Sequence, residues 1–415
     1  VCAVVDPRLD MVDDILELTA AKEMQITAVI ETHNHADHIS GHGEIARRTG
    51  AAIYVHEQAG VAYPHKNLKD GDELRFGVAK MRVIHTPGHR PEHIALAVSD
   101  TSRSDDPWLV LTGDSLFIGD VARPDLAVPG EEGANALYDS IFDHLLKLED
   151  GVEVYPAHVA GSLCGRGMNP KTSSTIGFER KHNVAAAPRA RSEFIHDMNE
   201  NLPQRPPNMF NIVERNREDY AHVEVPLTPM ALSALTFQRE MQNGALVIDT
   251  RSPHQFAEGH IPGALQVFLH GSAFATRVGF IASPDSRLLL VVNVGPSAEL
   301  AERVSIPSWP APMYRPKEGD LHEAVRQLAV VGFDQVAGYL EGGMAAWAEA
   351  ELPVQQLGQL TVEELHAIHS DLAILDVRDQ NEWDEGHIKG ALHIPYYFIE
   401  PVSYTHLTLP TILRV

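Results

Sequence analysis

The stretch that decides the fold is THNHADH at residues 32–38, which follows a β-like run and precedes a Gly-rich helix start at Gly41. In an extended segment, residues two apart share a face, so His33 and His35 can point to one centre while a turn brings in Asp37 and His38. Imidazole nitrogen and carboxylate oxygen suit zinc or iron, and open coordination positions would make such a site catalytic. The alternative, a polar loop without metal, is the weaker explanation of this spacing.

Three further segments supply the partners that the first segment lacks. They are TPGH at 86–89, TGDS at 112–115 and YPAH at 155–158. Each places a His or Asp just after a β-like run, where strand ends converge on one edge of a sheet and loops carry functional sites. Singly, each segment is more typical of a turn, and together they predict one centre.

The first half of the chain alternates short β-like and helical runs, which predicts an α/β layered fold with several antiparallel hairpins. The β-like runs are residues 1–5, 26–31, 52–55, 73–76, 80–85, 94–98, 108–111 and 152–155, and the helical runs are 10–24, 41–48, 134–148 and 191–201. A Pro-rich piece at 202–207 and the polar run to Tyr220 predict a domain exit and a linker.

Residues 1 to about 220 resemble the metallo-β-lactamase superfamily, through the HxHxDH segment and the later His, Asp and His. The resemblance implies an αβ/βα sandwich with metal at one edge. Within the superfamily, residues 113–126 (GDSLFIGDVARPDL) and 155–165 (YPAHVAGSLCG) resemble persulfide dioxygenases and their rhodanese-fused relatives more than glyoxalase II thioesterases. Arg90 is a departure, because a small hydroxyl residue commonly follows the ThrProGlyHis motif.

The resemblance implies a ligand set for one Fe(II) ion: His33, His89 and Asp114. Such a two-His-one-carboxylate face leaves positions for dioxygen and a substrate sulfur. It makes His35, Asp37, His38 and His158 supporting residues or, in the hydrolases of the superfamily, ligands of a second metal with Asp114 bridging. Occupancy by one iron or by two zinc ions stays open at this point.

The same resemblance implies catalytic roles for Asp37 and Arg123. Arg123 is the residue expected to hold the carboxylate of a thiol substrate. An Arg123 paired with Asp120 or Asp125 at the surface is an equally good interpretation. Tyr155 is expected to contact substrate. Cys164 is as readily a small buried residue as a reactive one.

The second half contains an internal repeat: VIDTRSPHQFAEGHIPGA at 247–264 aligns without a gap to ILDVRDQNEWDEGHIKGA at 374–391. This pattern, with LEGGMAAW at 340–347, resembles the rhodanese domain, which moves sulfane sulfur through a cysteine persulfide. In that family the motif residues, here Asp249, Arg251, His260 and Gly263, chiefly shape the fold.

The first copy lacks the rhodanese nucleophile. The loop expected to carry the Cys reads NVGPSA at 293–298, with Asn293 near the Cys position and a serine at 297 that cannot carry a persulfide. The second copy stops before its own loop. Prolines between residues 306 and 316 predict a further loop.

Composition narrows the classes of function. The chain has 415 residues, 44% hydrophobic and 22% charged, and a net charge of −24, which disfavours nonspecific binding to nucleic acid or an anionic membrane. No apolar run is long enough to span a membrane, and no signal peptide is visible. Its two cysteines, Cys2 and Cys164, suit a reducing compartment, so the expected location is the cytoplasm.

We therefore expect a metallo-β-lactamase-like catalytic domain at 1–222 with its first strands missing, and a rhodanese-like domain without its Cys at 223–356. A partial second copy at 357–401 and a non-native tail at 402–415 follow. The expected activity is iron-dependent oxidation of a low-molecular-weight thiol persulfide by dioxygen to sulfite and thiol. The partners are these small molecules, with neither nucleic acid nor membrane, and a homodimer fits the resemblance.

Two alternatives remain at this stage. One is a dinuclear zinc thioester hydrolase of glyoxalase II type, in which the rhodanese-like units are passive modules. The other is a protein whose repeated domains bind or sense sulfide without catalysis; the four ligand segments argue against that for the whole chain.

Overall fold

A computed structural model of the chain describes residues 1–159, 164–165, 167–187, 189–200, 202, 204–218, 229–271, 273–293, 319–368 and 372–398. The chain divides into two compact units, the first formed by Val1–Arg205 and Met209–Val223 and the second by Pro206–Asn208 and Glu224–Val415. The expected loop at 306–316, Ser297 and the tail from 402 lie outside the described residues. No helix among the described residues has both the length and the apolar composition that crossing a bilayer requires.

The first unit contains two β-sheets. The first sheet is parallel, with strands in the order β1 (Cys2–Val5), β2 (Ile26–Ile30), β3 (Ala52–His56) and β4 (Lys66–Leu68). The second sheet has the order β10-β9-β8-β7-β6-β5. Its strands are β5 (Glu73–Phe76), β6 (Ala79–His85), β7 (Ile94–Asp100), β8 (Leu109–Gly113), β9 (Glu153–Pro156) and β10 (Ser174–Thr175). The β5 to β8 strands pair antiparallel, which confirms the predicted hairpins.

Apolar side chains stack the two sheets face to face and place helices outside them. Ile30 of the first sheet packs with Val83 and Leu96 of the second, in a core that also takes Leu68 and Ile94. The opposite face of the second sheet, including Ala97 and Val110, packs against helical Leu137, Ile141 and Phe194. Val12 and Ile45 cover the outer face of the first sheet at Val29. The order helix, sheet, sheet, helix confirms the predicted αβ/βα sandwich.

Among the described residues, six α-helices of seven to ten residues belong to this part of the chain. They are α1 (Val12–Ala21), α2 (His42–Thr49), α3 (Gly130–Asp139), α4 (Ile176–His182), α5 (Arg191–Asn199) and α6 (Asn208–Arg217). The predicted helix at 134–148 begins earlier than expected and continues past Asp139 as a π-helical turn at Ser140–His144 and a 3-10 turn at Leu145–Lys147.

The predicted linker over 202–220 is wrong for its central part, because residues Asn208–Arg217 form helix α6. Met209 of this helix packs against Ala36 and Leu126, so the helix has a small apolar face. Asn216 accepts a hydrogen bond from Ser40 N at 2.9 Å and donates to the carbonyl oxygens of His35 and His38 at 3.0 and 2.8 Å. These contacts come from distant parts of the sequence, so the polar composition of the segment gave no sign of them.

The second unit is built on a five-stranded parallel sheet in the order β11-β15-β14-β12-β13. Trp347, Phe237 and Leu289 are central members of its core. The strands are β11 (Met230–Leu232), β12 (Leu246–Asp249), β13 (Leu265–Gln266), β14 (Leu288–Val291) and β15 (Val336–Leu340). The helices are α7 (Ala234–Gln242), α8 (Pro253–Glu258), α9 (Phe274–Ile281), α10 (Asp320–Val330) and α11 (Gly343–Glu349).

The partial second copy repeats local features of the first. It contributes a two-stranded parallel sheet, β16 (Leu375–Asp376) with β17 (Leu392–His393), and helices α12 (Val362–Ile368) and α13 (Gln380–Glu385). Arg251 binds Asp249 through two nitrogens and donates to Gly259 O at 2.9 Å, and Arg378 makes the same set of bonds to Asp376 and Gly386 O. The motif residues therefore brace the fold, as the resemblance implied.

Candidate metal centre

The sheet directions bring the sequence-predicted residues to one edge of the first unit. Strands β6 and β8 both run antiparallel to β7, and β9 is parallel to β8, so all three strands point the same way. His89 follows β6, Asp114 follows β8 and His158 follows β9. The loop with His33 follows β2 at the end of the first sheet. The four segments of the sequence therefore meet, as strand ends at one edge should.

His33, His89 and Asp114 are brought together in a buried triad. Asp114 Oδ2 lies 3.5 Å from His89 Nε2 and 3.9 Å from His33 Nε2. One ligand atom from each of the three residues lies within 4.8 Å of the other two. A spacing of this size is compatible with one ion held at bonding distance from all three atoms.

The hydrogen bonds of the triad fix which ring nitrogens face its centre. His89 Nδ1 lies 3.1 Å from the carbonyl oxygen of Arg123, so Nδ1 carries the proton and donates. The Thr32 hydroxyl donates to Asp6 at 2.8 Å and lies 2.9 Å from His33 Nδ1, so it accepts a hydrogen bond from that nitrogen. Both Nε2 atoms are therefore lone-pair donors, which is how outer partners orient metal-binding imidazoles.

Polar atoms at the centre fit a metal ion because the protein leaves them without hydrogen bonds. Among the described residues, His33 Nε2, His89 Nε2 and both carboxylate oxygens of Asp114 are buried and have no hydrogen-bond partner. Leaving such atoms unsatisfied is costly, and native structures rarely do so without an ion, water or functional reason. A metal-binding site of His and Asp residues is thus present.

Electrostatics favour the protonation states that bind metal. Burial lowers the pKa of His33 and of His89 below that of free imidazole. Burial alone would raise the pKa of Asp114, but the nearby charge of His158, whose Nε2 lies 3.3 Å from Asp114 Oδ2, outweighs that effect and holds the pKa below its ordinary range. Neutral imidazoles and an ionised carboxylate are the forms required of metal ligands.

The backbone before Asp114 requires glycine. Gly113 has a φ of +50°, and a Cβ there would lie 2.6 Å from His93 Nε2 and 2.9 Å from Thr32 Oγ1. The same His93 Nε2 accepts a hydrogen bond from Asp114 N at 2.8 Å, and its Nδ1 therefore donates to Thr86 Oγ1. His93 fixes the Asp114 backbone, and the sequence analysis did not select it because it follows the TPGH motif as an apparently ordinary strand start.

A second group of ligand-type side chains adjoins the triad. His158 Nε2 lies 3.3 Å from both Asp37 Oδ2 and Asp114 Oδ2, and His38 Nδ1 lies 3.2 Å from Asp37 Oδ1. The Nε2 atoms of His38 and His158 are also buried without a hydrogen-bond partner among the described residues. Asp114 therefore stands between two groups of potential ligands.

His35 is held by two carboxylates that the sequence analysis did not select. Its Nε2 lies 3.2 Å from Asp6 Oδ1 and 3.2 Å from Glu31 Oε2, while its Nδ1 is buried without a hydrogen-bond partner among the described residues. Asp6 and Glu31 sit at the ends of β1 and β2, which are neighbours in the sheet. The rule that neighbouring strand ends share an edge could have found both.

Comparison with known families agrees with this geometry. The model of the metallo-beta-lactamase superfamily matches residues 2–158, and that of the rhodanese-like domain matches residues 233–350 and 361–412. The chain therefore contains a metallo-beta-lactamase domain over residues 2–158. It also carries rhodanese-like domains, which confirms both predicted resemblances.

Among individual relatives, a hydroxyacylglutathione hydrolase of Polaromonas sp. strain JS666 is 28% identical over 55% of this chain and 85% of its own length. The mitochondrial persulfide dioxygenase of Homo sapiens is 29% identical over 48% of this chain and 72% of its own. A metallo-beta-lactamase structure from Staphylococcus aureus subsp. aureus COL has a TM-score of 0.67 at 25% identity, over 81% of this chain and 90% of that one. The hydrolase and the dioxygenase named here differ in activity.

Arg123 contacts the metal centre through its carbonyl oxygen, which binds His89, but its guanidinium is bound to Asp125. Its Nε and Nη2 atoms donate to the two oxygens of Asp125 at 2.7 and 2.9 Å, and its side chain is buried. The pairing with Asp125 is thus present, although in the interior rather than at the surface. The role of Arg123 in holding a substrate carboxylate stays a prediction.

Tyr155 and Cys164 differ in how close they lie to the centre. The Tyr155 side chain is 37% exposed, and its hydroxyl donates to Glu153 at 2.8 Å, so its expected contact with substrate stays a prediction. The Cys164 sulfur lies near ligand atoms of Asp37 and His158. Burial, followed by the charge of Asp114, raises the pKa of the Cys164 thiol to about 12. The charge of His158 acts in the opposite direction but is outweighed, so the thiol form is favoured.

In the rhodanese-like unit, Asn293 lies two residues beyond strand β14 and its side chain is hydrogen-bonded at both ends. Gln255 Nε2 donates to Asn293 Oδ1 at 2.9 Å, and Asn293 Nδ2 donates to Asp320 Oδ2 at 3.1 Å. The remainder of the predicted nucleophile loop lies outside the described residues. An amide in this position supplies no nucleophile for sulfur transfer.

Proposed function

We propose that the first unit is an iron-dependent persulfide dioxygenase that acts on the persulfide of a low-molecular-weight thiol. The overall reaction is RSSH + O2 + H2O → RSH + SO3²⁻ + 2 H⁺, in which dioxygen takes four electrons from the outer sulfur. The observation that carries the proposal is the buried triad of His33, His89 and Asp114, with its ligand atoms unsatisfied and within 4.8 Å of one another. Two His and one carboxylate with open positions is the ligand set of non-haem Fe(II) oxygenases.

Iron bound by His33, His89 and Asp114 would supply the redox chemistry, since ferrous iron can pass electrons to dioxygen and zinc cannot. The residues of this chain provide the setting. Thr32 and the Arg123 carbonyl hold the two rings, and His93 holds the Asp114 backbone. All three ligands are buried, which keeps bulk water from the reacting sulfur.

Asp37 is the catalytic candidate next to the triad. Its two oxygens lie 3.2 Å from His38 Nδ1 and 3.3 Å from His158 Nε2, so it can hold both rings beside Asp114. In a mononuclear iron enzyme these residues would support the site from outside the ligand set. The rhodanese-like domains that follow in the sequence support a sulfur-containing substrate, because that fold handles sulfane sulfur.

A second candidate is a dinuclear zinc thioester hydrolase, which the unsatisfied Nε2 atoms of His38 and His158 favour. Asp114 Oδ2 lies 3.3 Å from His158 Nε2 and 3.5 Å from His89 Nε2, as a residue shared by two ions would. Two zinc ions would supply an activated water for attack on a thioester. The hydroxyacylglutathione hydrolase among the relatives is consistent with this candidate.

Exchanging the metal separates the two functions. The same protein preparation is stripped, reloaded with ferrous iron or with zinc, and assayed both for oxygen uptake with glutathione persulfide and for hydrolysis of S-lactoylglutathione. We expect oxygen uptake with iron and none with zinc. Thioester hydrolysis by the zinc form, without oxygen uptake by the iron form, would support the hydrolase instead.

A further inference from the structure

Arg90 is a buried cation directly after the ligand His89. Its side chain is 8% exposed, and its Nε donates to Glu92 Oε1 at 2.7 Å. Glu92 is buried as well. In the sequence, Arg90 departs from the motif of the superfamily, and neither the ligand set nor the proposed reaction uses it.

The outer end of the Arg90 guanidinium has no partner in the part of the chain that the structure describes. Only Nε forms a hydrogen bond there. The two terminal nitrogens form none and are not fully buried, so they are accessible to solvent. Arg123, by contrast, gives two nitrogens to Asp125. The two terminal nitrogens of Arg90 are therefore free to bind a ligand, while most of its side chain is enclosed.

Glu92 links this guanidinium to the segment that carries His33. The oxygen that binds Arg90 Nε also accepts from Asn34 Nδ2 at 2.8 Å and from Asn34 N at 3.2 Å. Asn34 stands between His33 and His35 in the first ligand segment. In line with this, the charge of Arg90 is one cause, after burial, of the lowered pKa of His33 and of His89. The positive charge of Arg90 therefore acts on both His ligands.

An unpartnered guanidinium end at such a place suits an oxyanion. The planar fork of Arg matches the oxygens of sulfite or of a carboxylate with two parallel hydrogen bonds, and the bonds are strong because both groups are charged. Glu92 holds the Nε side of the group, so the terminal nitrogens are pre-oriented. In a chain with a net charge of −24, a local cation also offsets the general repulsion of an anionic ligand.

We propose that Arg90 is the oxyanion-binding residue of this centre, and that its terminal nitrogens hold the sulfite formed there or the carboxylate of the thiol carrier. The choice of sulfite rests on the proposed dioxygenase function. The binding of an oxyanion does not require turnover, so it can be measured apart from that function.

The test is titration calorimetry of sulfite, and separately of glutathione, into the ferrous protein without dioxygen. Replacing Arg90 by Gln removes a charge-assisted hydrogen-bonding pair, and we expect affinity for the bound oxyanion to fall about ten- to a hundredfold. Arg90→Lys keeps the charge without the fork and should lie between. Arg103→Gln, an exposed arginine on a hairpin, is the matched control and should bind as the wild type.

Metal content is measured on every variant, because Arg90→Gln leaves Glu92 without its cation. The double variant Arg90→Gln/Glu92→Gln removes that unpaired charge. Weaker binding of either probe with metal retained supports the proposal, and the affected probe identifies the source of the oxyanion. Unchanged affinity for both probes overturns it, as does loss of metal from both variants, which would make Arg90 a framework residue. Oxygen uptake, assayed separately, can fail without altering any of these results.

Discussion

Two clusters of buried polar and charged side chains in this chain differ in whether the protein itself supplies their hydrogen-bond partners. In the rhodanese-like unit, both oxygens of Asp249 bind Arg251, and Arg251 Nη2 also reaches Gly259 O. In the metal centre, both oxygens of Asp114 and the facing nitrogens of His33 and His89 have no hydrogen-bond partner among the described residues. The first cluster is complete as protein, whereas the second requires something from outside. Buried polar atoms that the fold leaves unsatisfied are therefore the better guide to function.

Substitution of Asp114 has the largest expected effect on the metal centre. Asp114→Ala should abolish metal retention and lower persulfide-dependent oxygen uptake by more than about 100-fold, because loss of a supporting residue alone typically costs about 10- to 100-fold. Since the metal-free wild type leaves these atoms unsatisfied, the variant should unfold at no lower urea concentration than the metal-free wild type. Metal analysis, oxygen uptake and urea denaturation check the three parts. A variant that keeps metal and activity would remove Asp114 from the ligand set.

At the complete cluster the expected effect is on stability instead. Arg251→Ala leaves the buried Asp249 carboxylate without its cation, and such a loss typically costs about 3–5 kcal/mol of unfolding free energy. Metal content should not change. The second copy supplies the control, because the Arg378 side chain in the same motif is 38% exposed and Arg378→Ala should shift unfolding far less. Equal shifts from the two variants, by chemical denaturation, would mean that burial does not set the difference.

Asn216 holds the loop at the edge of the metal centre through three hydrogen bonds. Asn216→Ala would leave the carbonyl oxygens of His35 and His38 and the Ser40 amide without their partner, at a cost of about 1–3 kcal/mol in unfolding free energy. Weaker metal retention should accompany it, since the same loop carries His33. Asn199→Ala, which removes an exposed amide at the end of another helix, is the control. Urea denaturation and metal analysis of both variants decide, and an Asn216 variant matching the control would refute the bracing role.

The smallest effect concerns His56, whose imidazole stacks on that of His85. The rings of His56 and His85 stack at 4.2 Å, and burial, followed by the charge of His85, lowers the pKa of His56 below 6.5. The unfolded chain then binds the proton more readily, so stability is full above about pH 6.5 and falls as the pH drops below it. Glu57, Glu92 and Asp70 act in the opposite direction and keep the effect small.

His56→Phe keeps a stacking ring and removes the titration. The loss of stability between about pH 7.5 and about pH 5.5, measured by urea denaturation, should be smaller in this variant than in the wild type. A variant whose stability falls as much as that of the wild type over this interval would show that the pair does not contribute to the pH dependence.

How far the sequence alone reached depended on the range of the interactions. The HxHxDH segment and the three later motifs predicted the sandwich and the residues that meet at its edge. Ligand-type residues and strand ends can be recognised from a few consecutive residues. Helix α6 was missed, since its small apolar face is recognisable only against Ala36 and Leu126. His93 was missed for a related reason, because it supports Asp114 from a different strand. Asp6 and Glu31, which contact His35, could have been found from the rule that neighbouring strand ends share an edge.

Arg123 shows the same limit from the other side. The sequence left two partners open for it, and only the folded chain shows the pairing with Asp125 in the interior. Arg90 looked like a simple departure from a motif until its bond to Glu92 placed it beside two ligands. Side-chain partners of long, charged residues are decided by three-dimensional packing, which residue types and spacing do not contain.

The most direct test of the central claim is the stoichiometry of oxygen uptake by the ferrous protein with glutathione persulfide, measured alongside sulfite production and against Asp114→Ala. The account predicts one sulfite formed for each dioxygen consumed, and neither process in the variant. A folded, iron-loaded wild type that consumes no dioxygen, or that consumes it without forming sulfite, would contradict the assignment of the triad to persulfide oxidation.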